Sequence, residues 1–571
     1  LAHGEAHEAV GILGPLSNAA SHQSVPETRE GNGWMVNRLP DWLTVDGMGL
    51  IVERGAPRTN TRLPFLNGFC YAIKRAVIET VGLLDEERFA TGYCEENDYS
   101  QRARAAGFEL AVVDDAYVHH AKSRSFGSAG RADLAKRNYQ TFLDKHGRGE
   151  IERLVAAMDA DRGLEPVRAA VAEHSSSPER IAPLLGAGEK RTLSVVFLLP
   201  GMAHGGSGGA HSIYQEVLGL RALGVPARVA LPRWDRERAA AVYEDADEVF
   251  QTFADEEDLA AMTEDADVIS ATHHKSVALL AAIRARRSDF LPAYYVQDYE
   301  PFFTAPYIAE EAVASYTALP DMLLFAKSHW LCNVVAERHG LFVEKVEPSI
   351  DRALFVPGQR RHEGGPLRVV AMVRPRTARR QPLATLAVLE RLLEQFPSQV
   401  QVSTFGCYAD ELREILPGAH DDVLERHLGL LSRNAVAELL RESDVFLDMS
   451  VYQAFGRTAL EAMACGCTAI VPSVGGVWEF VEQGQNALAV DTLDPGGALG
   501  ALGALVSDRE LLLRLQASAL ATAERYSTVR AALSEYLIFE RAHRTRFGGP
   551  AEGATDGEPR AADALPSLAR G

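Results

Sequence analysis

From about residue 193 onward the chain repeats one pattern: a short run rich in β-branched and aromatic residues, then a longer polar segment of helical period. The runs stand at 193–199, 227–230, 267–270, 293–297 and 322–326, then at 367–372, 400–405, 445–449 and 468–471. Most lead into stretches whose apolar positions recur every three or four residues, such as 212–223 and 383–395. Alternation of this kind predicts α/β architecture, with parallel sheets covered by helices on both faces. Such sheets bind ligands at the carboxyl ends of their strands. Roughly 350 residues are too many for one doubly wound sheet. Two Rossmann-like lobes with a cleft between them are expected, 192–355 and 356–547.

Before residue 193 the pattern is mixed. Residues 1–147 carry apolar runs at 10–13 and 109–113 and a helix-like stretch at 97–106. Residues 148–191 are charged and alanine-rich and read as a helical linker. Residues 548–571 are rich in Gly, Pro and Ala without periodicity, which predicts a disordered tail.

Composition narrows the function classes. The 571 residues allow about three domains, and 47% hydrophobic with 24% charged residues is ordinary for a globular protein. A net charge of −20 argues against a broad nucleic-acid footprint while leaving room for a local basic pocket. No apolar run reaches the roughly 18 residues of a membrane span. Six scattered cysteines form no disulfide framework, and a reduced, cytoplasmic setting fits them. Cys465-Gly466-Cys467 reads as small-residue packing rather than a metal motif. The chain starts at Leu1 without a basic-then-apolar leader.

The most informative stretch is 450–491, SVYQAFGRTALEAMACGCTAIVPSVGGVWEFVEQGQNALAVD. Phe455-Gly456 follows a strand and opens a good helix former, 457–464. The free N–H groups and positive dipole end of that helix suit a diphosphate. Glu461 follows Gln453 by about two helical turns, and a carboxylate can accept from two vicinal ribose hydroxyls. Gly475-Gly476 lets backbone approach a ligand; Glu479 either caps a helix or meets the nucleotide. The stretch resembles the donor-binding core of family 4 glycosyltransferases of the GT-B fold, E-x-F-G-x(4)-E-A-M-A-x-G, then G-G, then E. The resemblance implies retention of anomeric configuration and makes Glu461 the ribose ligand. Gln453 stands where the family has Glu, so any role of charge there does not carry over. The family places an Arg after the first strand of this lobe and a Lys soon after. Arg374 matches the first, and Arg379 or Arg380 stands for the second. The resemblance implies that these cations replace a metal at the donor diphosphate, so no cofactor is expected in this part.

In the preceding lobe a Gly-rich strand-to-helix turn at 200–209 includes Gly205 and Gly206, placed by the resemblance near the donor. It lacks the GxGxxG-plus-acid pair of a dinucleotide dehydrogenase. His273 and His274 follow a strand, where the family often has a sugar-facing His; the choice between them stays open. Gln297, Asp298 and Glu300 lie in QDYEP, which resembles a segment of rhamnosyltransferases that assemble surface glycans. Carboxylates beside aromatic faces suit a sugar acceptor.

The first block carries a second resemblance. Asn67-Gly68, then Glu95-Glu96-Asn97-Asp98, then His119-His120 are similar to the C-terminal half of family 2 glycosyltransferases with the GT-A fold. The resemblance implies inversion, Glu96 as the general base, Asn67 and Gly68 near the acceptor, and His120 completing a Mg2+ or Mn2+ shell. The nucleotide-binding strands and DxD that should precede this are absent, so Leu1 is expected to be a truncation point in a tandem of two transferases.

The expected function is transfer of a sugar from a nucleotide-sugar donor, with dTDP-rhamnose suggested by QDYEP, to a glycan of a surface polysaccharide or cell wall. A lipid-linked glycan acceptor would bring the chain to the inner face of the cell membrane. The alternative is a non-catalytic scaffold binding nucleotide sugars or glycans.

Overall fold

The computed structural model describes residues 1–89, 92–121, 131–186, 191–202, 208–358, 365–415, 423 and 425–548. Gly205, Gly206 and the tail expected beyond residue 548 lie outside the described residues.

The first block holds a small mixed sheet. Val10–Leu16 runs parallel to Glu109–Tyr117 and antiparallel to Ala72–Ile73. The segment read as a linker is more than a spacer. Its helices Arg148–Ala160 and Glu165–His174 present Ile151, Leu154, Met158, Val167 and Val171 on one stripe. That stripe is buried in the same core as Phe65 and Phe142.

The next lobe is a seven-stranded parallel sheet. Its order is Glu344–Lys345, Leu323–Ala326, Leu291–Tyr295, Val268–Ala271, Val195–Leu198, Ala227–Pro232, Phe250–Phe253. The last lobe has five parallel strands in the order Val400–Phe405, Leu367–Met372, Val445–Leu447, Thr468–Pro472, Leu488–Val490. The central strands are fully buried apolar runs, as expected of parallel sheets covered on both faces. None of the six cysteines is in a disulfide. Among the described residues, no helix is long and apolar enough to cross a membrane.

The final helix, Thr528–Phe547, departs from expectation. Its sequence position groups it with the second lobe, yet it returns to the first. Ser527 caps it through the Arg530 N–H at 3.1 Å. It presses on the helix Gly208–Ala222 so closely that a Cβ on Gly219 would stand 2.7 Å from the Ala532 Cβ. Phe539 meets Phe325 edge to face, with centroids 5.2 Å apart. Glu540 binds Arg54 of the first block at 2.7 Å and accepts from the Gly186 N–H at 3.1 Å. The two crossings between lobes run side by side: the Ile350 N–H donates to the Tyr526 carbonyl at 3.2 Å, and Thr528 Oγ1 to the Ile350 carbonyl at 3.3 Å.

Phe539→Ala is expected to cost about 3–5 kcal/mol, the usual price of emptying a buried aromatic site. Urea denaturation followed by tryptophan emission checks it; an unchanged midpoint would show that this helix does not join the parts.

Candidate functional site

The carboxyl ends of the two parallel sheets face one another across a cavity of about 290 Å³. His273, Gln297, Asp298 and Glu300 line it from the first lobe, and Gln453, Phe455, Gly456 and Arg457 from the second. Gly456, at φ 99°, turns the chain into the Arg457–Ala464 helix. Only glycine adopts that conformation without strain. Phe455 stands edge to face against Phe480 at 5.5 Å.

Backbone apposition closes the seam beside this cavity. Ser328 Oγ donates to the Ala454 carbonyl at 2.6 Å. The Gly476 N–H donates to the Gln453 carbonyl at 2.7 Å. A Cβ on Gly475 would lie 2.1 Å from the Gln453 oxygen, and one on Gly476 2.0 Å from the Ala454 oxygen. The sequence had the glycine pair admitting a ligand; here it admits the 453–454 backbone. Of the two places expected for Glu479, at a helix cap or with the nucleotide, the structure shows the cap. Its Oε1 accepts from the backbone N–H of His329 at 2.6 Å, and its Oε2 lies 3.4 Å from Lys345 Nζ. It caps a first-lobe helix from the second lobe.

Of the two histidines, His273 lines the cavity and caps the helix His274–Arg286, while His274 is buried behind it. His274 Nδ1 makes a short hydrogen bond to Glu300 Oε2, which also accepts from the His274 backbone N–H at 2.8 Å. Burial, helped by the nearby Asp298 charge, pushes Glu300 up to about 8. Burial, with His274 and Lys275 adding to it, holds His273 down at about 4. Burial lowers His274 and raises Glu300, so both groups beneath His273 favour their neutral forms. Glu300, expected to meet the acceptor, has its Oε2 engaged in this way. The donor atoms of His273, His274 and Glu300 lie within 4.8 Å of one another.

The three expected arginines sit at the end of strand Leu367–Met372 in different states. Arg374 is exposed, with Nε 3.5 Å from the Met372 sulfur. Arg379 crosses the cleft to Asp298 at 2.6 Å, with Tyr452 and Phe303 rings about its guanidinium. Its Nε and Nη1 are buried without a partner. Arg380 lies 3.7 Å from Asp448. Asp298 thus pairs with a cation, and Gln297 donates to the Thr272 carbonyl at 3.1 Å.

Glu461 is 7% exposed. Burial raises its carboxyl to about 7, against the pull of Arg457 and Arg433. Arg433 and Asp351 form an ion pair at 2.9 Å and line a larger cavity of about 890 Å³ with Gln215, Tyr243 and Leu431. Arg457 reaches across to Ser212 Oγ at 2.6 Å. Sequence reasoning missed Asp351, Arg433, Arg457 and Asp448. For Arg457 the signal was present, since it opens the helix directly after Gly456.

In the first block, Asn67 and Glu96 line a cavity of about 350 Å³, walled partly by Ile151 and Met158. Gly68 packs on Glu96, where a Cβ would stand 2.9 Å from the Glu96 Cβ. Burial, then the Glu95 charge, raises Glu96 to about 7. Asp98 is occupied elsewhere, by Arg102, Lys145 and His146. His120 stacks on Phe69 at 5.3 Å with its Nδ1 3.0 Å from the Ala19 carbonyl. Among the described residues it belongs to no cluster of three His, Cys, Asp or Glu donors.

Residues 370–508 match the family model of Glycosyl transferases group 1. The D-inositol 3-phosphate glycosyltransferase of Mycolicibacterium vanbaalenii is 32% identical over 230 residues, 36% of this chain and 50% of that protein. The O-antigen biosynthesis protein RfbC of Myxococcus xanthus is 31% identical over 237 residues, 42% of this chain and 18% of that protein. The chain thus spans half or less of the length of these two relatives. Among solved structures, sucrose-phosphate synthase from Thermosynechococcus elongatus superposes with a TM-score of 0.53 at 16% identity, covering 62% of this chain and all of that one. Anabaena HepE in complex with UDP and glucose gives 0.51 at 17% identity, covering 61% and 99%. The paired parallel sheets are therefore a GT-B-like glycosyltransferase fold, and its second lobe carries the group 1 glycosyltransferase match.

Proposed function

We propose that the two-lobed part transfers a sugar from a nucleotide-sugar donor to an acceptor hydroxyl. The observation that carries this is the convergence at one interlobe cleft of the Gly456 helix start with Arg457, of Arg379 through its Asp298 pair, and of His273. In this reading Glu461 and the cavity beside Arg433 take the nucleoside. The helix N-terminus and Arg374, Arg379 and Arg380 take the diphosphate, whose charge grows as the sugar leaves. Arg379 keeps Nε and Nη1, which Asp298 leaves unpartnered, for that contact. His273, held neutral, faces the transferred sugar.

Retention of configuration, a dTDP-rhamnose donor and a surface-glycan acceptor remain part of the proposal. The likeness to RfbC, whose name places it in O-antigen biosynthesis, supports the last. For the first block we keep the reading of a partial family 2 acceptor site, supported by Asn67 and Glu96 meeting at one cavity. Transfer there would require a Mg2+ or Mn2+ site, and His120 has no carboxylate partners for one among the described residues. A binding scaffold without turnover is the second reading, favoured by the uncharged Gln453 in the cleft. Turnover assays with a panel of nucleotide sugars separate the two.

Removing the Glu461 carboxylate deletes charge-assisted bonds worth about 1.5–3 kcal/mol. Glu461→Ala should therefore weaken the nucleotide sugar by roughly 10- to 100-fold in calorimetry. Unchanged affinity would remove Glu461 from the site. Because the acceptor form of Glu461 is the carboxylate and it ionises near 7, affinity should rise between pH 6 and 8. Glu461→Gln should flatten that rise; a rise of equal size in the variant would place the titrating group elsewhere.

A further inference from the structure

The uncharged Gln453 is explained by its neighbour. Gln453 Nε2 makes a short hydrogen bond to Asp448 Oδ2 and lies 3.2 Å from Ser450 Oγ. Ser450 in turn gives both its hydroxyl and its backbone N–H, the latter at 3.0 Å, to Asp448 Oδ1. All three side chains are buried, Ser450 completely. The Gln453 backbone is fixed by the close passage of Gly475 and Gly476. A carboxylate accepts only, so it dictates which end of the amide it meets. Both amide hydrogens are drawn toward Asp448 and Ser450, and the carbonyl oxygen is left as the group that Gln453 offers to the cavity it lines. Arg380, 3.7 Å from Asp448, balances the buried charge.

We propose that Asp448 is a positioning and specificity-determining residue: it locks the Gln453 amide with its oxygen toward the cleft, so that this position accepts a hydrogen bond from a hydroxyl of the transferred sugar. The negative charge stands one layer behind the sugar, and an acidic side chain at 453 is excluded by the carboxylate already there. The inference rests on the nucleotide-sugar reading of the cleft. It assigns the donor class at that position: a sugar with a free hydroxyl there, and neither a carboxylate nor a deoxygenated carbon.

Three variants test it. In Asp448→Asn the new amide nitrogen faces Gln453, so the glutamine turns over and presents donors to the cleft. In Gln453→Glu two carboxylates meet in a buried space. The double variant restores one carboxylate and one amide, with an acceptor again toward the cleft. The probe is whichever of UDP-glucose, GDP-mannose, ADP-glucose and dTDP-rhamnose most raises the melting temperature of the wild type, together with its nucleoside diphosphate. Asp448→Asn should weaken the nucleotide sugar about ten-fold relative to its diphosphate, whose hold on Arg380 loses a competitor. Gln453→Glu should melt below the wild type, and the double variant should regain both stability and nucleotide-sugar affinity. Equal weakening of sugar and diphosphate forms, or a Gln453→Glu protein as stable as the double variant, would overturn the assignment. If no member of the panel protects the wild type, the donor reading and the sugar contact fall together. Lost and regained stability would then still report the pairing itself.

Discussion

Lys327 has 6% of its side chain exposed and lies between Glu216 and Glu535, whose side chains are fully buried. Its Nζ bonds Glu216 and stands 3.7 Å from Glu535. One ammonium cannot offset two carboxylates in a dry interior. Burial and the Glu216 charge accordingly push Glu535 well above its ordinary value, and it keeps its proton. The three groups come from three elements: the helix Gly208–Ala222, the end of strand Leu323–Ala326 and the final helix. Pulling Lys327 or Glu216 away strands a buried charge, a loss of several kcal/mol. Ser328, the next residue, makes the seam to the second lobe, so the cleft is built on this triad.

The same logic recurs around the cavity. Asp298 and Arg379, Asp448 and Arg380, Asp351 and Arg433 are each paired across short distances. A site so neutralised from within can be buried while still holding enough cations to meet an anion. Arg379, with two buried N–H groups unpartnered, has spare capacity that Asp298 does not use. The chain as a whole is strongly acidic, so attraction for any anion in the cleft would come from these few arginines rather than from a general field.

Much of this was legible along the chain. The central strands announced themselves as buried apolar runs, and Phe455-Gly456 marked the helix start correctly. The edge strands Phe250–Phe253, Glu344–Lys345 and Leu488–Val490 did not, because they are partly exposed and formed by pairing with a neighbour already in place. Sequence showed that Gly475, Gly476 and Glu479 were special without showing what they approach. Their partners lie in residues 453–454 for the glycines and in the first lobe for Glu479. Asp298 and Arg379 are 81 positions apart, so neither announces the other. The stripe Ile151, Leu154, Met158 had the right period to be a packed face, but charge between those positions disguised it.

The two crossings at Ile350 and Tyr526–Thr528 are bonded to each other, and that has a mechanical meaning. Two covalent links lying side by side act as one pivot. The motion that stretches neither is a swing about the line they share; sliding or twisting of one lobe on the other would tear the Ile350–Tyr526 bond. A swing of the second lobe about that line would work like a door on a single hinge pin, with the arginines and Glu461 on the door and His273 on the frame.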